Sequence, residues 1–105
     1  MAQEFTKVAT SSEIPPGKLK VVELGTERVM IVNLNGEYYA VGEECTHAGG
    51  LLSEGYFDGH LVECPIHAAI FNIKTGQPES PPADESLPVY QVKVSGEDIL
   101  VGRKK

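Results

Sequence analysis

Tryptophan is absent from this chain, aromatic residues make up only 7% of it, and cysteine occurs just twice. No apolar run approaches the roughly 20 residues that a membrane-spanning helix requires. The start, Met1-Ala2-Gln3-Glu4-Phe5-Thr6-Lys7, has no basic stretch followed by an apolar one, so no secretory leader is expected. Positive charge is also short: nine Lys and Arg face fifteen Asp and Glu, leaving a net charge of −6. That balance argues against nucleic acid, which selects basic surfaces. It suits docking onto a basic patch of a partner protein, or simply solubility. The expectation is a cytoplasmic monomer that binds neither membrane nor nucleic acid.

What is present is ordinary for a soluble domain: 41% hydrophobic and 23% charged residues in a chain of 105. Residues 1–105 read as one domain, long enough to bury a core. Phe5 to Ala9 alternates weakly and suits an edge strand, and Ser11 to Gly17 is a cluster of breakers. Leu19 to Leu24 and Arg28 to Leu34 are rich in Val, Ile and Leu around Gly25-Thr26, which predicts a hairpin. Asn35-Gly36 between apolar runs tolerates the positive φ angles of a type I′ turn. The strand Glu37 to Gly42 then leads straight toward Cys45. Further short strands are expected at Leu61 to Cys64, Ala69 to Ile73, Val89 to Val94 and Ile99 to Val101. Many short strands without a long helical period predict an all-β fold, a small antiparallel sandwich or barrel.

Both cysteines stand beside histidines, as Cys45-Thr46-His47 and, sixteen residues later, Cys64-Pro65-Ile66-His67. A disulfide is conceivable, but cysteines so placed in a cytosolic chain favour metal. Two thiolates and two imidazoles are the ligand set of a Rieske [2Fe–2S] centre, in which two histidines replace two cysteines on one iron. With only one or two residues between Cys and His, a tight turn can aim both at one cluster. Cys45 and Cys64 would bind the inner iron, and His47 and His67 the outer one. Such a cluster carries no net charge when oxidised, so it accepts an electron more readily than an all-thiolate cluster. Structural zinc also takes two cysteines and two histidines, but its common modules pair like with like, at Cys-x₂₋₄-Cys and His-x₃₋₅-His. A Cys–His hydrolase would need neither the second cysteine nor the second histidine.

Together with Leu52-Ser53-Glu54-Gly55, Phe71, Thr75-Gly76 and Pro81-Pro82, these motifs resemble the Rieske ferredoxins of bacterial aromatic-ring dioxygenase systems. The likeness runs from about Asn35 to the C-terminus. It implies a cluster-binding part at about residues 43–83, with Cys45, His47, Cys64 and His67 as ligands at one tip. Pro78 to Pro82 would form a third, flanking loop. It also implies a one-electron shuttle, with no bond chemistry of its own, between an NAD(P)H-dependent flavin reductase and a terminal oxygenase. The respiratory Rieske proteins carry a disulfide and two hydroxyls near the cluster; here Gly50 and Ile66, and Ala69 and Phe71, stand at those places. Three alternatives stay open: the ferredoxin of a diiron monooxygenase, the small subunit of a nitrite reductase, and a zinc-stabilised or redox-sensing module. His60 reads as a surface turn residue, and the four tyrosines as packing residues. Glu43, Glu44, Asp84 and Glu85 are candidate docking charges near the cluster end, or part of an ordinary solvated face.

Overall fold

Branched aliphatic residues dominate the segments that become strands, because such side chains fit a pleated, half-buried surface. The computed structural model describes residues 5–25, 27–44, 51–65, 69–79 and 86–104. In chain order its strands are β1 (Thr6–Thr10), β2 (Leu19–Leu24), β3 (Glu27–Leu34), β4 (Glu37–Gly42), β5 (Tyr56–Asp58), β6 (Leu61–Glu63), β7 (Ile70–Asn72), β8 (Val89–Ser95) and β9 (Asp98–Lys104). They build a six-stranded sheet in the order β1-β9-β8-β4-β3-β2 and a three-stranded sheet in the order β5-β6-β7. Every pairing between these strands is antiparallel. The all-β expectation therefore holds, and the larger sheet is nearly closed into a barrel. The first strand does lie at a sheet edge, as its weak alternation suggested.

The expected hairpin is β2–β3, in register from Leu19 opposite Val32 to Leu24 opposite Glu27. The Asn-Gly turn follows as read: Asn35 has φ 55° and Gly36 φ 94°. A buried amide supports it. Asn33 is 2% exposed; its Oδ1 accepts the Gly36 N–H at 2.7 Å and its Nδ2 donates to the Ile14 carbonyl at 2.8 Å. One side chain thus tightens the turn and holds the segment between β1 and β2 against the hairpin.

β3 is buried on both faces. Val29 and Ile31 join Ala9, Ile14, Ala40, Tyr90, Ile99 and Val101 in one apolar cluster. That cluster draws on β1, β3, β4, β8 and β9, with Val22 and Leu24 of β2 packed alongside, so the six-stranded sheet curls around it. Register shifts between Lys7 and Ala9 and between Tyr90 and Val92 help it bend. Met30 and Val32 point the other way and join Val41, Leu52, Val62, Cys64, Ala69, Phe71, Ile73 and Leu87. This second cluster cements the small sheet to the large one. Phe71 is wholly buried within it, a burial worth roughly 2–3 kcal/mol.

Two features escape sequence reasoning. The 3-10 turn at Ser11–Glu13 falls inside the expected breaker cluster, whereas the 3-10 turn at Leu52–Glu54 and strand β5 have no local signal. All three β5 residues are exposed, so no alternation marks it; only its pairing with β6 makes it a strand.

Two outcomes follow. Gly36→Ala places a Cβ in open space but at positive φ, so it should cost roughly 1–2 kcal/mol of stability, read by chemical denaturation. Burial, then the bond donated at 2.7 Å by the Tyr90 hydroxyl to Glu27, raises the Tyr90 pKa above its ordinary value. A raised folded-state pKa means that the protonated phenol favours the fold. This stabilisation is complete below about pH 10 and is lost as pH rises through the folded value. Tyr90→Phe should therefore flatten the loss of stability above roughly pH 10, measured by denaturation at stepped pH.

Candidate metal centre

Three connections leave the sheets at one end of the molecule. Val41 of β4 is paired with Val89 of β8, which sets the end of β4 beside the start of β8. Glu63 is paired with Ile70, which does the same for β6 and β7. Val41, Leu52, Cys64, Ala69 and Leu87 meet in one apolar cluster, so all these stems converge.

Each stem is closed by backbone bonds. At the first, Gly42 N–H donates to Pro88 at 2.9 Å, Glu43 N–H to Arg28 at 3.1 Å, and Leu52 N–H to Glu43 at 2.8 Å. An isolated bridge joins Glu44 to Leu51. At the second, Cys64 N–H donates to the Ala69 carbonyl at 2.7 Å. At the third, Glu79 N–H reaches Ile70 at 2.6 Å and Leu87 N–H reaches Gly76 at 2.7 Å, with Pro78 bridged to Phe71. Two glycines let the stems approach. A Cβ on Gly55 would run into the Glu63 carbonyl, and one on Gly76 into the Leu87 carbonyl and Val89.

Of the four expected ligands, Cys64 is a free thiol, 1% exposed, among Met30, Leu52, Val62, Ala69 and Phe71. Cys45, His47 and His67 lie outside the described residues, as do Gly50, Ile66, Pro81, Pro82, Asp84 and Glu85. Among the described residues no group of histidine, cysteine and acidic side chains is placed to hold a metal ion. The chemistry at Cys64 fits a cluster thiolate. Its sulfur is shielded from water by an apolar shell, the feature that controls solvent access and potential at such centres. Ala69 and Phe71 are wholly buried beside it and carry no hydroxyl.

One expectation is corrected. Glu44 is exposed and can serve as a docking charge, but Glu43 is 1% exposed. Its Oε1 accepts the Arg28 Nε–H at 2.6 Å, and its Oε2 accepts the Ser53 hydroxyl. The bond from Glu43 is the main reason that the Arg28 pKa is raised. A signal for this was present. The register set by the Asn-Gly turn pairs Leu34 with Glu37 and Val29 with Gly42, and one step further sets Arg28 opposite Glu43.

His60 is an exposed turn residue, as read. Tyr90 is buried, and the Tyr38 hydroxyl donates to Ile14 at 3.2 Å. Tyr39 packs against the second apolar cluster, with Lys74 Nζ 6.0 Å from its ring centre. Tyr56, by contrast, is 69% exposed and packs no core. A cleft of about 420 Å³ beside the Asn35-Gly36 and Gly59-His60 turns sits where β4 and β6 begin, away from the loop stems, and forms no part of this site. Among the described residues no helix is long and apolar enough to cross a membrane.

The Rieske [2Fe-2S] domain family matches residues 4–91. The chain is 43% identical to the biphenyl dioxygenase ferredoxin subunit of Pseudomonas sp. (strain KKS102), over 92% of this chain and 90% of that one. The ferredoxin of carbazole 1,9a-dioxygenase from Nocardioides aromaticivorans IC177 superposes with a TM-score of 0.89 at 32% identity, covering 95% of this chain and 98% of that one. A ferredoxin in complex with its oxygenase, from carbazole 1,9a-dioxygenase, gives 0.90 at 35% identity over 96% and 95%.

Because Gly55 lies against backbone, Gly55→Ala cannot be absorbed by turning a side chain. It should cost about 1–3 kcal/mol in thermal or chemical unfolding, with the loss concentrated at the loop stems in amide exchange.

Proposed function

The chain belongs to the Rieske [2Fe–2S] domain family, and from that premise we propose that Cys45, His47, Cys64 and His67 hold its Rieske-type cluster. The protein is an electron carrier and not an enzyme, like the ferredoxin subunits of dioxygenase systems that it resembles. The observation that carries the assignment of ligands is Cys64: a free, water-shielded thiol at the mouth of a turn closed by its own N–H, in the chain's second Cys–His motif.

When bound, the cluster supplies a reversible one-electron couple. The chain's own part is to keep water from the sulfur of Cys64 and to fix the stems from which the other ligands project. Buried Ala69 and Phe71 give the sulfurs no hydroxyl bond, so nothing at those positions stabilises the reduced, more negative state. The potential should fall near the lower end of the Rieske range.

The electron reaches a terminal aromatic-ring dioxygenase from an NAD(P)H-dependent flavin reductase, with the protein acting as a cytoplasmic monomer. Exposed Glu44 and Glu54 flank the first loop and, with a net charge of −6, suit a partner that presents basic residues.

Aerobically purified protein should be red-brown, and its dithionite-reduced EPR spectrum should show a mean g below that of all-cysteine clusters. The midpoint potential should lie near about −150 mV, and Cys64→Ser should be colourless. A potential above zero would overturn the argument from Ala69 and Phe71. A colourless parent holding zinc would overturn the carrier reading and leave a metal-stapled binding module.

A further inference from the structure

Buried carboxylates are rare unless something compensates for their desolvation. Glu43 is wholly enclosed, and every described partner of its functional groups belongs to the frame of one loop. Its Oε1 accepts from Arg28 Nε at 2.6 Å on β3, and its Oε2 accepts the hydroxyl of Ser53 in the 3-10 turn after the loop. Its N–H donates to the Arg28 carbonyl at 3.1 Å, and its own carbonyl accepts the Leu52 N–H at 2.8 Å. Both ends of the segment 45–50 are therefore tied, through one residue, to the strand buried on both faces.

We propose that Glu43 is a positioning residue for electron transfer, a clasp that joins the outgoing and returning stems of the loop carrying Cys45 and His47. The geometry is that of a closed ring. From Glu43 the chain runs out through Glu44, returns through the Glu44–Leu51 bridge to Ser53, and is shut again at Glu43 by a side-chain and a backbone bond. The Arg28 bond anchors that ring to β3.

A carboxylate suits this task better than an amide. It accepts on both oxygens at once, and bonds to an ionised group are about twice as strong as neutral ones. Glutamine keeps the shape but not the charge: its oxygen can accept the Arg28 N–H and its NH₂ can donate to the Ser53 hydroxyl, so two charge-assisted bonds become weaker neutral-acceptor or reversed ones. Groups bonded directly to metal ligands alter metal affinity by about 10–100-fold when removed; Glu43 would act one step further out, through the loop stem. A loosened stem would let the two ligands of the first loop leave together, because both sit on the same closed segment.

The proposal rests on the cluster being held by that loop, so its test uses two readouts that can fail separately. The first is native-state amide exchange at Leu52, whose N–H closes the ring, in the parent, Glu43→Gln, Ser53→Ala and Ile99→Val. Ile99 lies in the other apolar cluster and controls for general loss of stability. Protection at Leu52 should fall about 100-fold in Glu43→Gln and about 10-fold in Ser53→Ala, beyond any fall at Ile31. In Ile99→Val the two amides should change together.

The second readout is the reduced EPR spectrum with the rate of cluster loss to a chelator. Glu43→Gln should shift the g anisotropy and lose its cluster about tenfold faster than Ile99→Val, with Glu43→Asp in between. Equal loss of protection at Leu52 and Ile31 would overturn the clasp. An unchanged spectrum and loss rate in Glu43→Gln would overturn its positioning role. A parent without an iron–sulfur spectrum would refute the carrier reading, and Leu52 exchange in that same protein would still decide the clasp.

Discussion

The whole arrangement depends on a strand whose middle, Val29 to Asn33, is buried on both faces. β3 gives Val29 and Ile31 to the interior of the curled sheet, and Met30 and Val32 to the joint between the sheets. Side chains alternate along a strand, so a shift by one residue would exchange these two sets. The Asn35-Gly36 turn prevents that shift for β4, and paired residues from Leu19–Val32 to Leu24–Glu27 prevent it for β2. Fixing β3 therefore fixes where its neighbours end, and the end of β4 is where the segment carrying the first Cys–His motif begins.

The loop stems inherit that precision through backbone bonds rather than through length of strand. β5, β6 and β7 have three residues each, too little to be stable as an isolated sheet. They hold because Val62 and Phe71 are wholly buried against the larger sheet, and because Gly55 allows the 3-10 turn to rest on the Glu63 carbonyl. Cys64 sits at the meeting point of these contacts. Its sulfur is dry because of the packing that keeps the small sheet in place.

Local signals carried much of the fold into the sequence. The hairpin around Gly25-Thr26 and the turn at Asn35-Gly36 each need only neighbouring residues to be read. β5 left no such mark, since Tyr56, Phe57 and Asp58 are all exposed and gain their strand character from β6. Glu43 misled for a related reason. An acidic residue at a strand exit is usually solvated, and its two side-chain partners lie fifteen residues before it and ten residues after it.

By itself the sequence determined the chemistry. Two Cys–His motifs limit the cofactor to a few choices, and many short strands with an Asn-Gly turn predict an antiparallel all-β fold. The spacing of Cys and His and the geometry of a turn are properties of adjacent residues, so they can be read without a structure. Only the tertiary structure decided that the strands divide into two sheets, that β1 pairs with β9 across the length of the chain, and that Glu43 turns inward while Glu44 faces water. Those outcomes depend on which distant surfaces exclude water from one another, and no short stretch of sequence encodes that.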